Sequence, residues 1–528
     1  MFLGIFETRQ PFFLESSISI ITQLSIDQAK VWLIGEVLSP LGEIRSAIKQ
    51  FLQNQDPADL LFLRGNYRTI VSLPDQLWLF PDLGNVRPMY YANVGSRLYF
   101  SSHLSAIHQY TNSPLNISWF KQSLLTGESH LTGETPYKGI YTIPPTYGLR
   151  VTEKKCLLFR AWKPEEEPPL DIEEAQEMLR EELVDAIHLR CKGKQVTSEL
   201  SGGLDSSTLT WLAAQVSQVK AITMLGKEEI EDVRIAKQVA NASSAIHQHF
   251  LSYEVAPIYA DMESIKSDLP ISFLWSAANG QAIWKWAKEQ DSEIHFSGEG
   301  GDAVLEADIS YLSDLFVRGK WKTGISHATR WARKKKDSPW KWIIKSVQQR
   351  RKLSNHPIRA EWYRFEPESH GLFEETRCLP TLKNIWMVGN VSYGMRDLAG
   401  QEGVNISVPF FDHPILRICL RVPPEKKTNP DEYKPILKRA FASTLPAELL
   451  NRNTKGDYTP DVYHGIRQHF EWFQRTFQKM RLAEMGLVEP SMFQETLKRF
   501  VMGLSIPLWE FNQTIALELW IRNKEGTK

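Results

Sequence analysis

The stretch SELSGGLDSSTLTWL, residues 198–212, constrains this chain more than any other. A short strand-like run, VTSEL, ends in paired glycines, which an acid, two hydroxyls and an apolar helical run follow. Gly202 and Gly203 let the backbone turn its N–H groups toward an anion, and a helix N-terminus adds a favourable dipole. Ser201, Ser206 and Ser207 supply further donors. The segment reads as a phosphate loop ending a strand near Leu200 and opening a helix near Ser206. It lacks the lysine of a Walker-type loop. Asp205 sets a carboxylate among phosphates, which repels unless a cation lies between; Mg²⁺ is the natural partner. A lone SGG is also an ordinary strand–helix turn. The full SGGxDSS pattern between a strand and an apolar helix is far more specific.

The neighbouring sequence alternates strand and helix: SSTLTWLAAQVSQ, KAITML, VRIAKQVANA and, later, SEIHFSG (292–298). Such alternation predicts an α/β fold with a parallel sheet and a ligand at the carboxyl ends of its strands. FSGEGGDAVL (296–305) is a second acid-bearing glycine turn. Its backbone at Gly298, Gly300 and Gly301 can approach a ligand closely. Asp205 and Asp302 are expected to share one Mg²⁺, leaving Glu299 as general base. A glycine-rich surface loop is the plainer alternative for this turn. Beyond about residue 305 the pattern is mostly helical.

Residues 1–162 read differently. YRTIVSL, QLWLF and RLYFSS are β-rich runs between turn signals, with helical segments near 40–53 and 102–110. A mixed, layered α+β domain is expected. WKPEEEPPLDIEEA breaks this pattern, so 163–172 is expected to be an exposed connection to a second domain, 173–528. Asp171 with Glu174 three residues on suggests a capping box. Lys plus Arg and Asp plus Glu number 62 each, giving no global signal for nucleic acid or membrane. Four widely spaced cysteines form no CxxC pair, and no signal peptide or 18-residue apolar run occurs. A reduced, cytoplasmic protein is the expectation.

At this point the chain resembles the asparagine synthetase type of ATP pyrophosphatase. SGGLDSS matches that family's pyrophosphate signature, FSGEGGDAVL its SGEGADE turn, VPFFDHPIL (408–416) its VPFLDH segment, and LPAELLNRNTKGDY (445–458) its late LP…R.K.G segment. The resemblance implies an adenine-nucleotide α-hydrolase-like synthetase domain with a helical C-terminal part. It implies cleavage of ATP between the α and β phosphates as a substrate carboxylate becomes an acyl-adenylate. The loop then grips the leaving pyrophosphate, and needs no Walker lysine. By the same resemblance Leu200, Met224, Ser297 and Gly298 line the nucleotide, and Lys455 contacts pyrophosphate. Arg452 and Lys455 enclose two residues where the family often has one.

Residues 65–107 resemble the Ntn-hydrolase-like (class II glutamine amidotransferase) domain that precedes such synthetases. There a Cys after the initiator Met attacks glutamine; here position 2 is Phe, so a degenerate glutaminase domain is expected. The amine must then come from elsewhere, as in β-lactam synthetases and lasso-peptide macrolactam synthetases. Residues 318–359 carry fourteen Lys or Arg against one acid, Asp337, and four Trp. A solvated helical face is one reading; a docking surface for an acidic peptide or protein is the other. A small-molecule cyclase has less need of such a surface. The leading expectation is therefore an ATP- and Mg²⁺-dependent macrolactam synthetase acting on a precursor peptide. A leader-peptide-binding protein and a leader protease are its implied partners. A β-lactam or asparagine synthetase-like enzyme, and a non-catalytic nucleotide-binding scaffold, are the alternatives.

Overall fold

The computed structural model describes residues 1–7, 13–16, 21–127, 132–153, 155–226, 231–353, 360–365, 379–452 and 459–526. Among the described residues, the first 160 positions hold the strands β1 (Phe2–Phe6), β2 (Phe13–Ser16), β3 (Ile21–Ile26), β4 (Ala29–Val37), β5 (Gly65–Ser72), β6 (Gln76–Phe80), β7 (Met89–Val94), β8 (Arg97–Ser101), β9 (Tyr141–Ile143), β10 (Tyr147–Thr152) and β11 (Cys156–Arg160). They pair into two antiparallel sheets, ordered β2-β1-β8-β7-β9 and β11-β10-β6-β5-β4-β3.

QLWLF shows why these strands read as unbroken apolar runs. Leu77 and Leu79 face a core shared by the two sheets, with Phe2, Trp32, Ile70 and Phe100. Trp78 and Phe80 face the other way, and Phe51 of the helix Leu41–Asn54 packs edge-on to both. Both faces are covered, so period-2 alternation between sides leaves no polar face. The helix Leu104–Thr111 covers β7 and β8, completing a helix–sheet–sheet–helix stack.

The connection that follows is clamped at several points, although Lys163, Glu166, Pro168, Pro169 and Asp171 are exposed. Trp162 Nε1 donates to Glu167 at 2.6 Å, and Glu167 pairs with Arg417 at 2.7 Å. The Leu170 N–H bonds the Arg421 carbonyl. The expected capping box is absent. Asp171 sits at the N-cap of the helix Ile172–Cys191 without capping it. Its carboxylate is drawn instead to Lys426, 2.5 Å away.

Among the described residues, parallel strands follow: β12 (Val196–Glu199), β13 (Val219–Leu225), β14 (Ile246–Ser252), β15 (Ile294–Phe296) and β16 (Ile406–Ser407), in the order β14-β13-β12-β15-β16. Chain order reverses direction between β12 and β15. A crevice opens at such a switch point, outside the carboxyl ends of the strands. One buried core runs through both regions, joining Phe51, Phe80 and Leu83 to Leu183, Phe411 and Ile415. A separate small core of Tyr311, Leu312 and Leu315 with Trp331 and Trp342 lies among three consecutive helices, Tyr311–Val317, Trp321–Lys335 and Pro339–Leu353. Among the described residues no helix is long and apolar enough to cross a membrane.

Candidate active site

The two glycine turns leave β12 and β15, the neighbours that flank the switch point. The first helix begins at Leu204, two residues before the expected Ser206, because extended Gly203 already serves as its N-cap. Asp205, Ser206 and Ser207 therefore lie in its first turn; Ser207 N–H already donates to the Gly203 carbonyl at 3.2 Å, while the N–H groups of Asp205 and Ser206 precede the first helical hydrogen bond. Ser206 Oγ accepts from the Ser201 N–H at 3.2 Å and lies 2.8 Å from Ser201 Oγ. Ser201 Oγ in turn accepts from the Gly203 N–H. The hydroxyls thus shape the loop before any ligand arrives. Ser207 Oγ is buried and makes no hydrogen bond among the described residues.

The glycines are required by close approach. Gly202 has φ +74°, and a Cβ there would stand 2.0 Å from the Asp232 carbonyl oxygen. A Cβ on Gly298 would lie 2.6 Å from Ser206 N, and one on Gly301 2.2 Å from the Asp205 carboxyl carbon. The second turn is therefore pressed onto the first, Gly298 against the Ser206 backbone and Gly301 against the Asp205 carboxylate.

Asp205 and Asp302 meet at a common point, occupied by the ammonium of Lys434. Its Nζ contacts Asp205 Oδ2 and lies 2.5 Å from Asp302 Oδ1. Tyr433 Oη donates to Asp302 at 3.1 Å. Lys434 is 0% exposed. Burial opposes its charge, but Asp205 and Asp302 outweigh that cost and hold its pKa well above the ordinary lysine value. Burial pushes the Glu306 carboxyl upward, Lys434 opposes this, and the two aspartates add to it. Among the described residues no group of three or more His, Cys, Asp or Glu is arranged for a metal. Two carboxylates against one ammonium nonetheless leave an anionic, oxygen-only donor set facing the phosphate loop. That chemistry suits Mg²⁺ shared with phosphate oxygens, and Asp205 and Asp302 are the residues that would hold it.

Other expected residues fall around this centre. Leu200 is buried; its N–H donates to the Ile222 carbonyl at 2.8 Å, and its own carbonyl accepts from Thr223 Oγ1 at 2.6 Å. Met224 is part-exposed near the carboxyl end of β13. Ser297 donates to Glu199 at 3.2 Å and accepts from the Glu299 N–H at 3.4 Å, so Glu299 stands at the turn's outer bend. Lys455 lies outside the described residues. Arg452, from the same late segment, is buried. Its guanidinium donates to the Gly202 carbonyl and to Asp232, the latter at 2.5 Å. It ties the first glycine turn to the start of the helix Glu231–Asn241.

VPFFDHPIL does not enter the crevice with its acid. Asp412 accepts two bonds from Arg190, at 2.7 and 2.8 Å, and one from Asn66 of β5 at 2.9 Å. Arg190 also donates to Glu36 of β4 at 2.6 Å, and Glu36 accepts from Ser407 of β16 at 2.6 Å. The Ser407 carbonyl accepts the Ser297 N–H at 3.0 Å. A polar chain thus runs from the first sheets to the second glycine turn. Lys434, Glu306 and Glu36 are the residues that sequence reading missed. The only cue for Lys434 was a lysine wedged between an aromatic and a proline.

The asparagine synthase family model matches residues 178–522. Two proteins of Bacillus subtilis (strain 168) are similar over much of the chain. Asparagine synthetase (glutamine-hydrolyzing) 3 is 22% identical over 414 residues, 72% of this chain and 64% of that protein. Asparagine synthetase (glutamine-hydrolyzing) 1 is 20% identical over 438 residues, 75% of this chain and 68% of that protein. The match thus spans less than two thirds of the length of the first relative. Among solved structures, the glutamine PRPP amidotransferase from B. subtilis aligns at a TM-score of 0.21 and 10% identity. That alignment covers 56% of this chain and 84% of that one, too loosely to assign a fold. The family model extends over well more than half of the sequence and includes both glycine turns, Lys434 and Arg452: the chain belongs to the asparagine synthase family.

Proposed function

We propose that this chain is an ATP- and Mg²⁺-dependent carbon–nitrogen ligase that closes a macrolactam ring, of the lasso type, within a ribosomal precursor peptide. The observation that carries the adenylation step is the convergence of Asp205 and Asp302 on Lys434 beside a phosphate loop. A side-chain carboxylate oxygen of an Asp or Glu attacks the α-phosphorus of ATP, and the α–β bridging bond breaks to release pyrophosphate. First-turn N–H groups and the Lys434 charge oppose the negative charge growing on that leaving group. Mg²⁺, when bound, neutralises phosphate oxygens and aligns them for in-line displacement. The peptide's N-terminal amine then attacks the acyl carbon, AMP leaves, and Glu299 takes the amine proton. Lys455 is assigned to the same leaving-group charge. Positioning supplies the rest, since effective molarities can reach about 10⁵ M or more.

The β1 position that the resemblance gives to a nucleophile is Phe2. It is buried, its ring 6.3 Å from that of Phe100, its N–H donating to Ser102 Oγ and its carbonyl accepting from Ser101. A phenyl ring there offers no attack on glutamine, which favours an amine held within the substrate. A leader-peptide-binding protein and a leader protease are proposed as partners on the same reading. The second reading, an asparagine or β-lactam synthetase-like enzyme, is favoured by the names of the relatives. Incubation with ATP, Mg²⁺ and a candidate precursor peptide decides between them. Loss of one water from the peptide with equimolar AMP is the expected result; amidation of free aspartate by ammonia or glutamine overturns it.

A further inference from the structure

The three-helix unit of residues 311–353 differs in surface from the rest of the protein. The chain has seventeen Trp, and only Trp321 and Trp340, 60% and 72% exposed, stand largely in solvent. Each heads an exposed apolar pair one helical turn apart, Trp321 with Ile325 and Trp340 with Ile344. Val317 is exposed beside the first pair. Trp321 rests on Phe316, with ring centroids 5.3 Å apart, but the unit's buried core is supplied by Tyr311, Leu312 and Leu315 with Trp331 and Trp342.

Charge distinguishes it further. Lys320 and Arg330 pair with Glu425 and Asp431, at 2.6 and 2.7 Å, and Lys341 pairs with Asp337. Lys322, Arg333, Lys335 and Lys336 have no ion-pair partner among the described residues, while Lys345 lies over the Trp342 ring and acts on Asp337. Arg333, Lys335 and Lys336 crowd the last turn and C-cap of the helix Trp321–Lys335, where like charges repel one another unless an anion lies nearby, and the adjacent Asp337 is held by Lys341. The unit is also fixed beside the crevice. Asp431 is three residues from Lys434, and Lys334 lies within electrostatic reach of Glu306 and Lys438. A ligand that spans the helices is therefore delivered to the site where a carboxylate is to be activated.

We infer that this basic, tryptophan-bearing three-helix unit is the docking surface for the peptide substrate of the synthetase site, an acidic segment carrying apolar side chains. This rests on the peptide reading above. A substrate activated at a carboxylate brings at least one negative charge with it. The exposed Trp and Ile pairs provide apolar anchors that ATP or a free amino acid would leave uncovered, and the unpaired lysines provide the complementary field.

The test uses the full chain without ATP, titrated with a synthetic peptide of alternating Glu and Leu while Trp fluorescence is followed. A saturable change is expected, weakened about tenfold by the paired substitutions Lys335→Glu and Lys336→Glu, and also weakened at about 0.3 M NaCl. The Lys-for-Glu peptide should give no saturation. Trp340→Ala provides a second variant should the charge reversal not fold, and is expected to weaken binding as well. Absence of saturation, equal affinity in the variants, or tighter binding of an oligouridylate of equal charge overturns the inference. Docking of a candidate precursor peptide that yields no AMP once ATP and Mg²⁺ are added leaves the surface in place and removes the cyclisation reading. Cyclisation that is indifferent to the variants removes the docking surface alone.

Discussion

Lys434 holds its position against two costs. Its φ of +48° is left-handed, which costs a non-glycine residue about 1 kcal/mol or more, and its ammonium has no access to water. Both are sustained because Asp205 and Asp302 converge on the charge, and each of those carboxylates would otherwise face the other. Replacing the ammonium by a thioether of similar length, Lys434→Met, leaves the pair to repel. One of them must then take up a proton or move away from the phosphate loop. Carboxylate-dependent ATP–pyrophosphate exchange is expected to fall by roughly 10²–10³. Exchange within threefold of the parent chain would show that Lys434 serves packing alone. Asp205→Asn should lower the same exchange to a similar degree and weaken its dependence on Mg²⁺ concentration, measured by titrating the metal at fixed ATP.

At the scale of elements, the site is two turns brought into contact by missing side chains. Gly298→Ala sets a methyl 2.6 Å from Ser206 N, where neither backbone can yield without parting the turns. A loss of about 1–3 kcal/mol is expected in urea unfolding, with ATP binding weakened beyond what that loss explains. The turns and their flanking strands were legible in the sequence because glycine spacing and apolar periodicity are local signals. QLWLF could be placed to the residue since both faces of β6 are buried. Other elements left no such trace. β14 carries two His and a Gln in IHQHFLS, being a part-exposed edge strand, and β16 has only two residues. The capping box failed because Lys426, distant in sequence, competes for Asp171. Lys434 sits in YKPILKR, which has the composition of an ordinary amphipathic turn; only the fold shows that its charge is internal.

For the whole molecule, the decisive feature is a buried ionic seam that joins the first sheets to the second glycine turn of the candidate site. Glu36 faces Arg190, Arg87 and Arg396 at 2.6, 3.4 and 3.7 Å. Burial alone would raise its pKa, but the three guanidinium groups and the Ser407 hydroxyl lower it from 4.5 to about 2. His413 lies at the same seam. It spans Leu61 and Leu83, with Nδ1 2.7 Å from one carbonyl and Nε2 accepting the other residue's N–H at 3.3 Å. A proton on Nε2 would meet that N–H head-on, and burial lowers the imidazole from 6.5 to about 4. The two groups act in adjacent pH windows. The unfolded chain protonates His413 below about 6.5 and the folded one does not, so stability falls between pH 6.5 and 4. Glu36 contributes fully above 4.5, and its contribution is lost as pH falls from 4.5 toward 2. Each displacement corresponds to about 3 kcal/mol. Glu36→Gln should remove the lower window from the stability profile while leaving the upper one. At neutral pH it should also destabilise the chain by roughly 3–5 kcal/mol, because three buried arginines lose their common anion. The loss should reach the nucleotide as well, since Glu36 holds Ser407 and Ser407 holds the turn at Ser297. Urea titrations across pH, read beside ATP binding, check both effects. A variant that is destabilised yet binds ATP with parent affinity would confine the seam to holding the two regions together.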